Sequence, residues 1–187
     1  MKTLWIILFL VIAITSVFAQ PSGEKNKELS ISGSYQNYSS GGSSESTGAF
    51  LISPRLGFFV AEGFEIEPEF VAMFASGSDP AYMINGNISY NFITAGKAVP
   101  FLLVGYGLAN TVPFFNVPFL KTDFKVDVLN VGGGVKAFLR EDVAIRFEYR
   151  YQKFSGQGET SVYSFYSYTE KIDTRIHTVQ FGLSVLL

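Results

Sequence analysis

The chain has 187 residues, no cysteine, and 14 basic against 16 acidic side chains, which give a formal charge of −2 at pH 7. This length fits one domain, the missing cysteine excludes disulfide scaffolds and thiolate metal sites, and the charge offers no basic field for nucleic acid. Hydrophobic residues make up 48% of the chain and aromatic residues 16%, which excludes a disordered polypeptide.

The first nineteen residues are typical of a secretory signal peptide. Lys2 gives a short positive start, Leu4 to Val17 form an almost unbroken apolar run, and Ala19 stands at the expected cleavage position. We therefore expect cleavage before Gln20. The alternative is an uncleaved membrane anchor, although the run is shorter than the roughly 20 residues that a spanning helix needs.

Apolar and polar residues alternate with a period of two through the rest of the chain, which predicts β-strands rather than helices. The sharpest alternation lies in Val143–Gln152. In the fifth strand both faces are apolar or glycine, and we assign Leu102 and Val104 to the outward face. The eight predicted strands cover about residues 28–38, 49–60, 64–75, 82–93, 99–109, 126–139, 143–152 and 175–187.

The connections between these strands alternate between long and short. Those after strands two, four and six are brief, and those after strands one, three, five and seven are longer and richer in Ser, Gly and Tyr. This pattern predicts an all-β, up-and-down antiparallel meander. Eight such strands close into a barrel, which removes exposed strand edges.

The alternation fits a soluble lipocalin-like barrel, with its apolar face inside, as well as a membrane barrel, with that face outside. Small residues dominate the polar face, as a narrow eight-stranded lumen requires, whereas a solvated face would favour long charged side chains. These small residues are Ser32, Ser34, Gly57, Ser89, Gly105, Gly132, Gly134, Gly182 and Ser184.

The apolar face ends in aromatic residues near the strand termini, where membrane interfaces favour such side chains. They are Tyr35, Phe58, Phe64, Phe74, Tyr90, Phe92, Tyr149 and Tyr151. Together with the small polar face, they predict a transmembrane barrel with a lipid-facing apolar surface.

Charged residues of the polar face balance four against four. The acids are Glu65, Glu67, Glu69 and Glu148, and the bases are Arg55, Lys136, Arg146 and Arg150. The three glutamates of strand three lie about 6 to 7 Å apart on one face, and they would repel each other in a lumen without cations. Strands three and seven face each other in a ring of eight, so we predict a lumenal salt-bridge belt in which Arg146 and Arg150 reach these glutamates. The alternative is a set of charged strand faces exposed to solvent.

The signal peptide and three segments carry a family resemblance: Pro100–Gly107 (PFLLVGYG), Val131–Phe138 (VGGGVKAF) and Asp142–Tyr151 (DVAIRFEYRY). On these residues the chain resembles the small outer-membrane β-barrel family that includes OmpA-type transmembrane domains and OmpX-like proteins. The resemblance implies the outer membrane of a diderm, Gram-negative bacterium, contact with its lipid and lipopolysaccharide, and insertion by its assembly machinery. Leu187 departs from the family, which usually ends in an aromatic residue that this machinery reads. We also expect no peptidoglycan-binding domain of the kind that longer OmpA-like proteins carry.

An even strand number places both termini on the side of the short turns, which in this family is the periplasm. We therefore expect residues 20–27 to form a short periplasmic segment, residues 28–187 to form the barrel domain, and four long loops to lie outside. The loops cover about residues 39–47, 76–81, 110–125 and 153–174.

Two of these loops are rich in apolar and aromatic residues. Such exposed surface suggests contact with an extracellular partner or with lipopolysaccharide. The alternative is that the loops pack on one another, and the fourth loop alternates in a way that can also extend strands seven and eight. The candidate interaction residues are Val112, Phe114, Phe115 and Phe119 in the third loop, and Tyr163, Phe165, Tyr166 and Tyr168 in the fourth.

The sequence predicts no catalytic site, cofactor or metal site. The single histidine, His177, falls on the outward face of strand eight, with valine at position 179 and no carboxylate clearly placed to orient it. Without cysteine, metal ligation is left to carboxylates whose charges are matched by cations.

Two classes of function remain. The first is a barrel with a plugged lumen that serves envelope integrity or surface-loop interactions such as adhesion. The second is a small porin or a transporter of hydrophobic solutes. The first is favoured because an eight-stranded lumen is just wide enough for side chains. A soluble periplasmic carrier and an outer-membrane lipid-modifying enzyme are further alternatives.

Overall fold

A computed structural model describes residues 25–39, 46–75, 80–110, 126–162 and 166–187, and it forms a closed antiparallel barrel of eight strands. Each strand pairs with the next along the chain, and β8 returns to pair with β1 from Glu28↔Leu186 to Gly33↔Phe181. The strands are β1 (Lys27–Ser39), β2 (Ser46–Ala61), β3 (Phe64–Ala75), β4 (Ala81–Asn91), β5 (Ala98–Ala109), β6 (Val126–Phe138), β7 (Val143–Val162) and β8 (Tyr166–Leu186). The predicted fold class is confirmed. No helix in these ranges is long and apolar enough to cross a membrane.

The period-two pattern of the sequence becomes an alternation of buried and exposed side chains, which is strict in β4 and interrupted in β3, where Val71, Ala72 and Met73 are all buried. Along β4 every second residue from Ala81 to Asn91 is buried and the residues between them are exposed. The assignment for the ambiguous fifth strand is confirmed, because Leu102 and Val104 are exposed while Phe101 and Leu103 are buried. The sequence alternation therefore fixes which side chains fill the lumen.

The two ends of the barrel differ. One end, here called the turn end, carries the short β2–β3, β4–β5 and β6–β7 connections. The start of β1 and the end of β8 also lie there, and Leu187 N donates to Lys27 O at 2.8 Å. Gly63 has a φ of 75° in the β2–β3 turn, in the left-handed region that favours glycine. The opposite end, the loop end, carries the other four connections.

The β7–β8 hairpin is longer than the sequence predicts. Backbone pairing continues from Val143↔Val185 to Val162↔Tyr166, so the long loop predicted over residues 153–174 is wrong. This segment contains Gly156, Gly158 and several serines, which are typical of loops. Strand pairing nevertheless uses only backbone N–H and C=O groups, so these residues can pair without an apolar side chain. The extension that the alternation in the fourth loop allowed is the arrangement found.

Most of the candidate interaction residues lie outside the described residues. These are Val112, Phe114, Phe115, Phe119, Tyr163 and Phe165, together with the side chains of Tyr166 and Tyr168. Their role in contacts stays a prediction.

Aromatic side chains border the outward apolar surface at both ends. At the turn end, Tyr90 lies 4.8 Å from Phe64 and 5.0 Å from Phe92 between ring centroids. At the loop end, Phe50 is the backbone partner of both Tyr35 and Phe74. Phe64 and Phe74 are ten residues apart on β3, about 34 Å along the strand. At a strand tilt of about 40° this band is about 26 Å tall, the height that lipid requires.

Candidate functional site

Charged side chains converge inside the barrel at the turn-end half of the lumen. The structure buries all eight residues of the predicted belt, each at most 3% exposed: Arg55, Glu65, Glu67, Glu69, Lys136, Arg146, Glu148 and Arg150. A ninth charged residue, Glu28 on β1, lies with them and is 2% exposed. These nine residues are called the lumenal belt below, and they comprise five carboxylates and four cations rather than the predicted four of each.

Sequence reasoning missed Glu28 because it stands at the start of β1, at the edge of the alternating segment. The signal that locates it is its parity with Ser30 and Ser32, which face the lumen and are buried.

Glu148 of β7 is bound by three arginines. Arg55 Nη1 donates to its Oε2 at 2.7 Å, Arg146 Nε donates to the same oxygen at 3.0 Å, and Arg150 Nε donates to Oε1 at 2.7 Å. Arg146 and Arg150 stand two residues before and after Glu148 on the same strand, so both project into the lumen beside it. Arg55 reaches it from β2.

Glu69 of β3 is the second anionic centre of the belt. Its hydrogen-bond donors lie on β2, β4 and β7, and both of its carboxylate oxygens accept hydrogen bonds from them. Glu69 accepts hydrogen bonds from Arg55 Nε at 2.7 Å, Arg150 Nη1 at 2.6 Å, Asn85 Nδ2 at 2.9 Å, Asn87 Nδ2 at 3.1 Å and the Ser53 hydroxyl.

The structure brings together the cross-lumen pairs that the sequence suggested between β3 and β7. Arg146 Nη1 lies 3.0 Å from Glu67 Oε2, and Arg150 Nη1 lies 2.6 Å from Glu69 Oε2. These pairs span two opposite walls of the barrel. They show why the glutamates of β3 can share one face.

Lys136 binds the carboxylates nearest the turn end. Its Nζ lies 2.6 Å from Glu28 Oε2 and 2.9 Å from Glu65 Oε2. The Phe101 ring, which faces the lumen from β5, has Lys136 Nζ 5.7 Å and Arg146 Cζ 4.3 Å from its centroid. An aromatic face attracts cations, so the Phe101 ring stabilises the buried positive charges of Lys136 and Arg146.

Removal of a charge from water is costly unless it is paired and hydrogen-bonded, and the belt meets this condition mainly through ion pairs. Such a network need not add net stability over an apolar core, but loss of one partner leaves its neighbours buried and uncompensated. The belt is therefore sensitive to the removal of single charges.

Glycines on the lumenal face make room for these side chains. A Cβ on Gly57 would stand 2.9 Å from Glu65 Cδ and 3.1 Å from Glu28 Cβ. A Cβ on Gly105 would meet the Asn87 side chain and would stand 3.0 Å from Gly86 O. The small residues of the polar face thus leave the space that the large lumenal side chains occupy.

A layer of amides lies on the loop-end side of the belt. Gln152 Nε2 donates to Asn130 Oδ1 at 2.8 Å, and Asn130 Nδ2 donates to Asn85 Oδ1 at 3.2 Å. Since Asn85 also binds Glu69, this layer continues the hydrogen-bond network of the belt toward the loop end.

Beyond the amides, the lumen is apolar. Sequence reasoning expected a polar lumenal face and missed this layer, although Leu51, Met73 and Met83 are in phase with the polar lumenal residues of their strands. The apolar layer consists of Ala49, Leu51, Val71, Met73, Ala81, Met83, Ala109, Val126, Val128 and Phe154. The lumen is therefore filled by charged side chains in one half and by apolar ones in the other.

His177 lies on the outward face of β8, as predicted. Its Nδ1 is hydrogen-bonded to the Tyr149 hydroxyl at 2.5 Å, and its ring lies 5.3 Å from that of Tyr151 between centroids. In the described ranges no group of three or more His, Asp or Glu side chains is arranged to hold a metal ion.

Comparison with known proteins identifies a family and several structural relatives, among them two outer-membrane barrels. The family model of the outer membrane protein β-barrel domain matches residues 7–185. The structure of Neisserial surface protein A is similar with a TM-score of 0.56 and 15% identity, over 86% of this chain and 96% of that one. The N-terminal β-barrel domain of Pseudomonas aeruginosa OprF is similar with a TM-score of 0.58 and 12% identity, over 87% and 98%. At these identities the structures share the fold. No curated protein matches the chain.

Proposed function

Because the chain belongs to the outer membrane protein β-barrel domain family, we propose that it is an integral outer-membrane protein with a closed lumen that serves envelope integrity or surface contacts. The observation that carries the proposal is the filling of the lumen at successive heights by the lumenal belt, the amides and the apolar layer. An eight-stranded barrel has just enough interior for side chains, so this filling favours an anchor over a conduit.

The outward face supports the membrane part of the proposal. Ile84, Leu102, Val104, Phe147 and Leu183 are each more than 40% exposed. Within the described strands, no charged side chain lies among them at mid-barrel. Such a surface is unfavourable in water and matches the acyl chains of a bilayer. A soluble carrier would turn these residues inward.

The same proposal includes an orientation, with the loop end outside the cell, the turn end and both termini in the periplasm, and residues 1–19 removed on export. Short turns face the periplasm in barrels of this kind. The experiment places one epitope tag in the β7–β8 connection, at 163–165, and another at Gly96 in the β4–β5 turn.

We expect both tagged proteins in the outer-membrane fraction. Antibody added to intact cells binds the β7–β8 tag alone, and it binds the Gly96 tag only after the outer membrane is permeabilised. Recovery in the soluble periplasmic fraction contradicts the membrane assignment, and labelling of the Gly96 tag on intact cells contradicts the orientation.

Lipopolysaccharide is the proposed partner at the outer rim of the β7–β8 hairpin. Lys153 and Arg175 are backbone partners on the outward face, next to the Tyr151 and His177 pair. Lys153 Nζ is 3.8 Å from Asp173 Oδ1, and Arg175 is exposed. Lys and Arg bind phosphate at such a site.

The test compares wild type with a Lys153→Gln, Arg175→Gln double variant by phosphate analysis of the lipopolysaccharide that copurifies with each. Equal amounts of lipopolysaccharide with the two proteins would contradict the contact.

The protein acts without catalysis in this proposal. The Tyr149 hydroxyl occupies His177 Nδ1, whereas a hydrolytic histidine is oriented by a carboxylate and paired with a nucleophile. Fatty-acid release from outer-membrane lipid by the purified barrel, with loss in a His177→Ala variant, would contradict this point.

A further inference from the structure

A cavity of about 440 Å³ opens at the turn end and reaches the lumenal belt. Its walls are apolar and include Phe59, Val99 and Phe138. Its polar lining consists of the buried side chains of Glu28, Asn91 and Lys136 and the exposed side chains of Lys25 and Glu62. Lys25 Nζ lies 3.9 Å from Asp142 Oδ2, outside this lining. The cavity therefore combines apolar walls with buried charged side chains of the lumenal belt.

Two oxygen atoms of this lining have no hydrogen-bond partner, Glu28 Oε1 and Asn91 Oδ1, although their residues are only 2% and 5% exposed. The orientation of the Asn91 amide is determined by its other contacts. Asn91 Nδ2 donates to Glu65 Oε2 at 3.1 Å and to Gly63 O at 3.2 Å. A flipped amide would set Oδ1 against these two acceptors, so the oxygen is left facing a position where a donor belongs.

The lumenal belt, which the cavity reaches at Glu28 and Lys136, has five carboxylates and four cations. Glu28 and Glu65 share the single ammonium group of Lys136 through their Oε2 atoms, while Oε1 of each has no hydrogen bond. Glu28 Oε1 is 3.6 Å from Arg146 Nη1, close enough for attraction but not for a hydrogen bond. Buried charge in excess is costly, so the belt, with one negative charge more than its cations offset, favours a ligand that brings positive charge.

We propose that this cavity binds a primary ammonium group that carries a short apolar chain. The ammonium head supplies N–H donors for Glu28 Oε1 and Asn91 Oδ1, and its charge offsets the surplus carboxylate. The apolar chain lies along Phe59, Val99 and Phe138. Water supplies donors but no charge, and a bare metal ion has no apolar group to lie along the walls.

The test uses the exported barrel, purified in detergent micelles and labelled with ¹⁵N. The Asn91 side-chain amide signal is followed while hexylammonium chloride, hexanol or sodium hexanoate is added at constant ionic strength. We expect a saturable shift with hexylammonium alone. No saturable shift, or an equal response to hexanol, overturns the proposal, because the second result needs only an apolar cavity.

A charge variant and a matched control locate the site. Glu28→Gln keeps the size of the side chain and removes the surplus charge, so hexylammonium binding weakens about tenfold or more. Glu141→Gln, on an exposed turn residue at the same end that does not line the cavity, leaves binding unchanged. Equal binding by wild type and Glu28→Gln overturns the site. If Glu28→Gln does not fold, the comparison of the three hexyl compounds on wild type decides alone.

The same ammonium chemistry occurs in free amines and in the ethanolamine headgroup of phospholipids. A short-chain phosphatidylethanolamine, added in competition with hexylammonium, distinguishes the two sources. Displacement of hexylammonium assigns the site to the headgroup, and lack of displacement assigns it to a free amine.

Discussion

Arg55 of β2 and Glu148 of β7 meet inside the barrel, where Arg55 Nη1 donates to Glu148 Oε2 at 2.7 Å. The two strands are not neighbours in the sheet, and the residues are 93 positions apart in the chain. The pair therefore joins two separate walls through the lumen. Since Arg55 also binds Glu69 of β3, this guanidinium connects both anionic centres of the lumenal belt.

Glu148→Gln should strongly destabilise the barrel. The substitution leaves Arg55, Arg146 and Arg150 without the carboxylate that they share, and loss of one partner of a buried ion pair costs about 3–5 kcal/mol. The free energy of unfolding, from urea titration in lipid vesicles followed by circular dichroism, measures the effect. Glu141→Gln is the control and should change the free energy by less than about 0.5 kcal/mol. Equal stability of the two variants would show that the belt charges are not buried.

Lys136→Met and Glu28→Gln should be energetically coupled. Lys136→Met alone leaves Glu28 and Glu65 without their shared cation, and the addition of Glu28→Gln removes one of these two charges. A double-mutant cycle should therefore give a favourable coupling of about 0.5–3 kcal/mol. The same unfolding titration measures it. Additive effects would show that Glu28 is not part of the lumenal belt.

Gly57→Ala should destabilise the barrel, because the new methyl group meets the carboxyl group of Glu65 and the Cβ of Glu28. We expect a cost of about 1–3 kcal/mol, typical of overpacking in a filled interior. Gly96→Ala is the matched control, since a Cβ there meets no atom within 4 Å. The midpoint of heat-induced loss of the compact band in gel electrophoresis compares the variants. A midpoint for Gly57→Ala equal to that of Gly96→Ala would contradict the packing described for the belt.

Val104→Arg should test the lipid-facing surface. Val104 is 51% exposed, and its backbone partners are Ile88 and Val131 on the same outward face. An arginine at the bilayer midplane costs about 2–4 kcal/mol, whereas one near an interface costs about 0–1 kcal/mol. Leu139→Arg, at the turn end, should therefore have a smaller effect on the unfolding free energy. An equal effect of the two substitutions would contradict the placement of the barrel in lipid.

The fold could be predicted from the sequence because residue parity determines so much of a barrel. Once Val143–Gln152 is taken as a strand, the sides of Arg146, Glu148 and Arg150 follow from the pleat. Ring closure then places β3 opposite β7. The partners of the glutamates could thus be inferred without coordinates, and the structure places these residues within contact distance.

Other features depend on information that parity does not contain. Strand parity places Glu28 inside, but Glu28 is the first residue of the predicted strand over 28–38, and pairing at a strand end depends on the neighbouring strands, which here supply Gly57 and Leu186. The inward residues Leu51, Met73 and Met83 form one apolar layer only when the register brings three strands to the same height. The length of the β7–β8 hairpin depends on backbone pairing, to which Gly156 and Gly158 contribute without an apolar side chain.

Single-channel recording in planar lipid bilayers tests the closed lumen most directly. The lumenal belt and the apolar layer fill the interior at different heights, so the purified barrel should insert without producing stable conductance steps. Insertion is verified in the same bilayers by the tag in the β7–β8 connection. Absence of stable steps is the predicted result. Reproducible, long-lived open channels from the wild-type barrel would contradict the account and would favour a small porin instead.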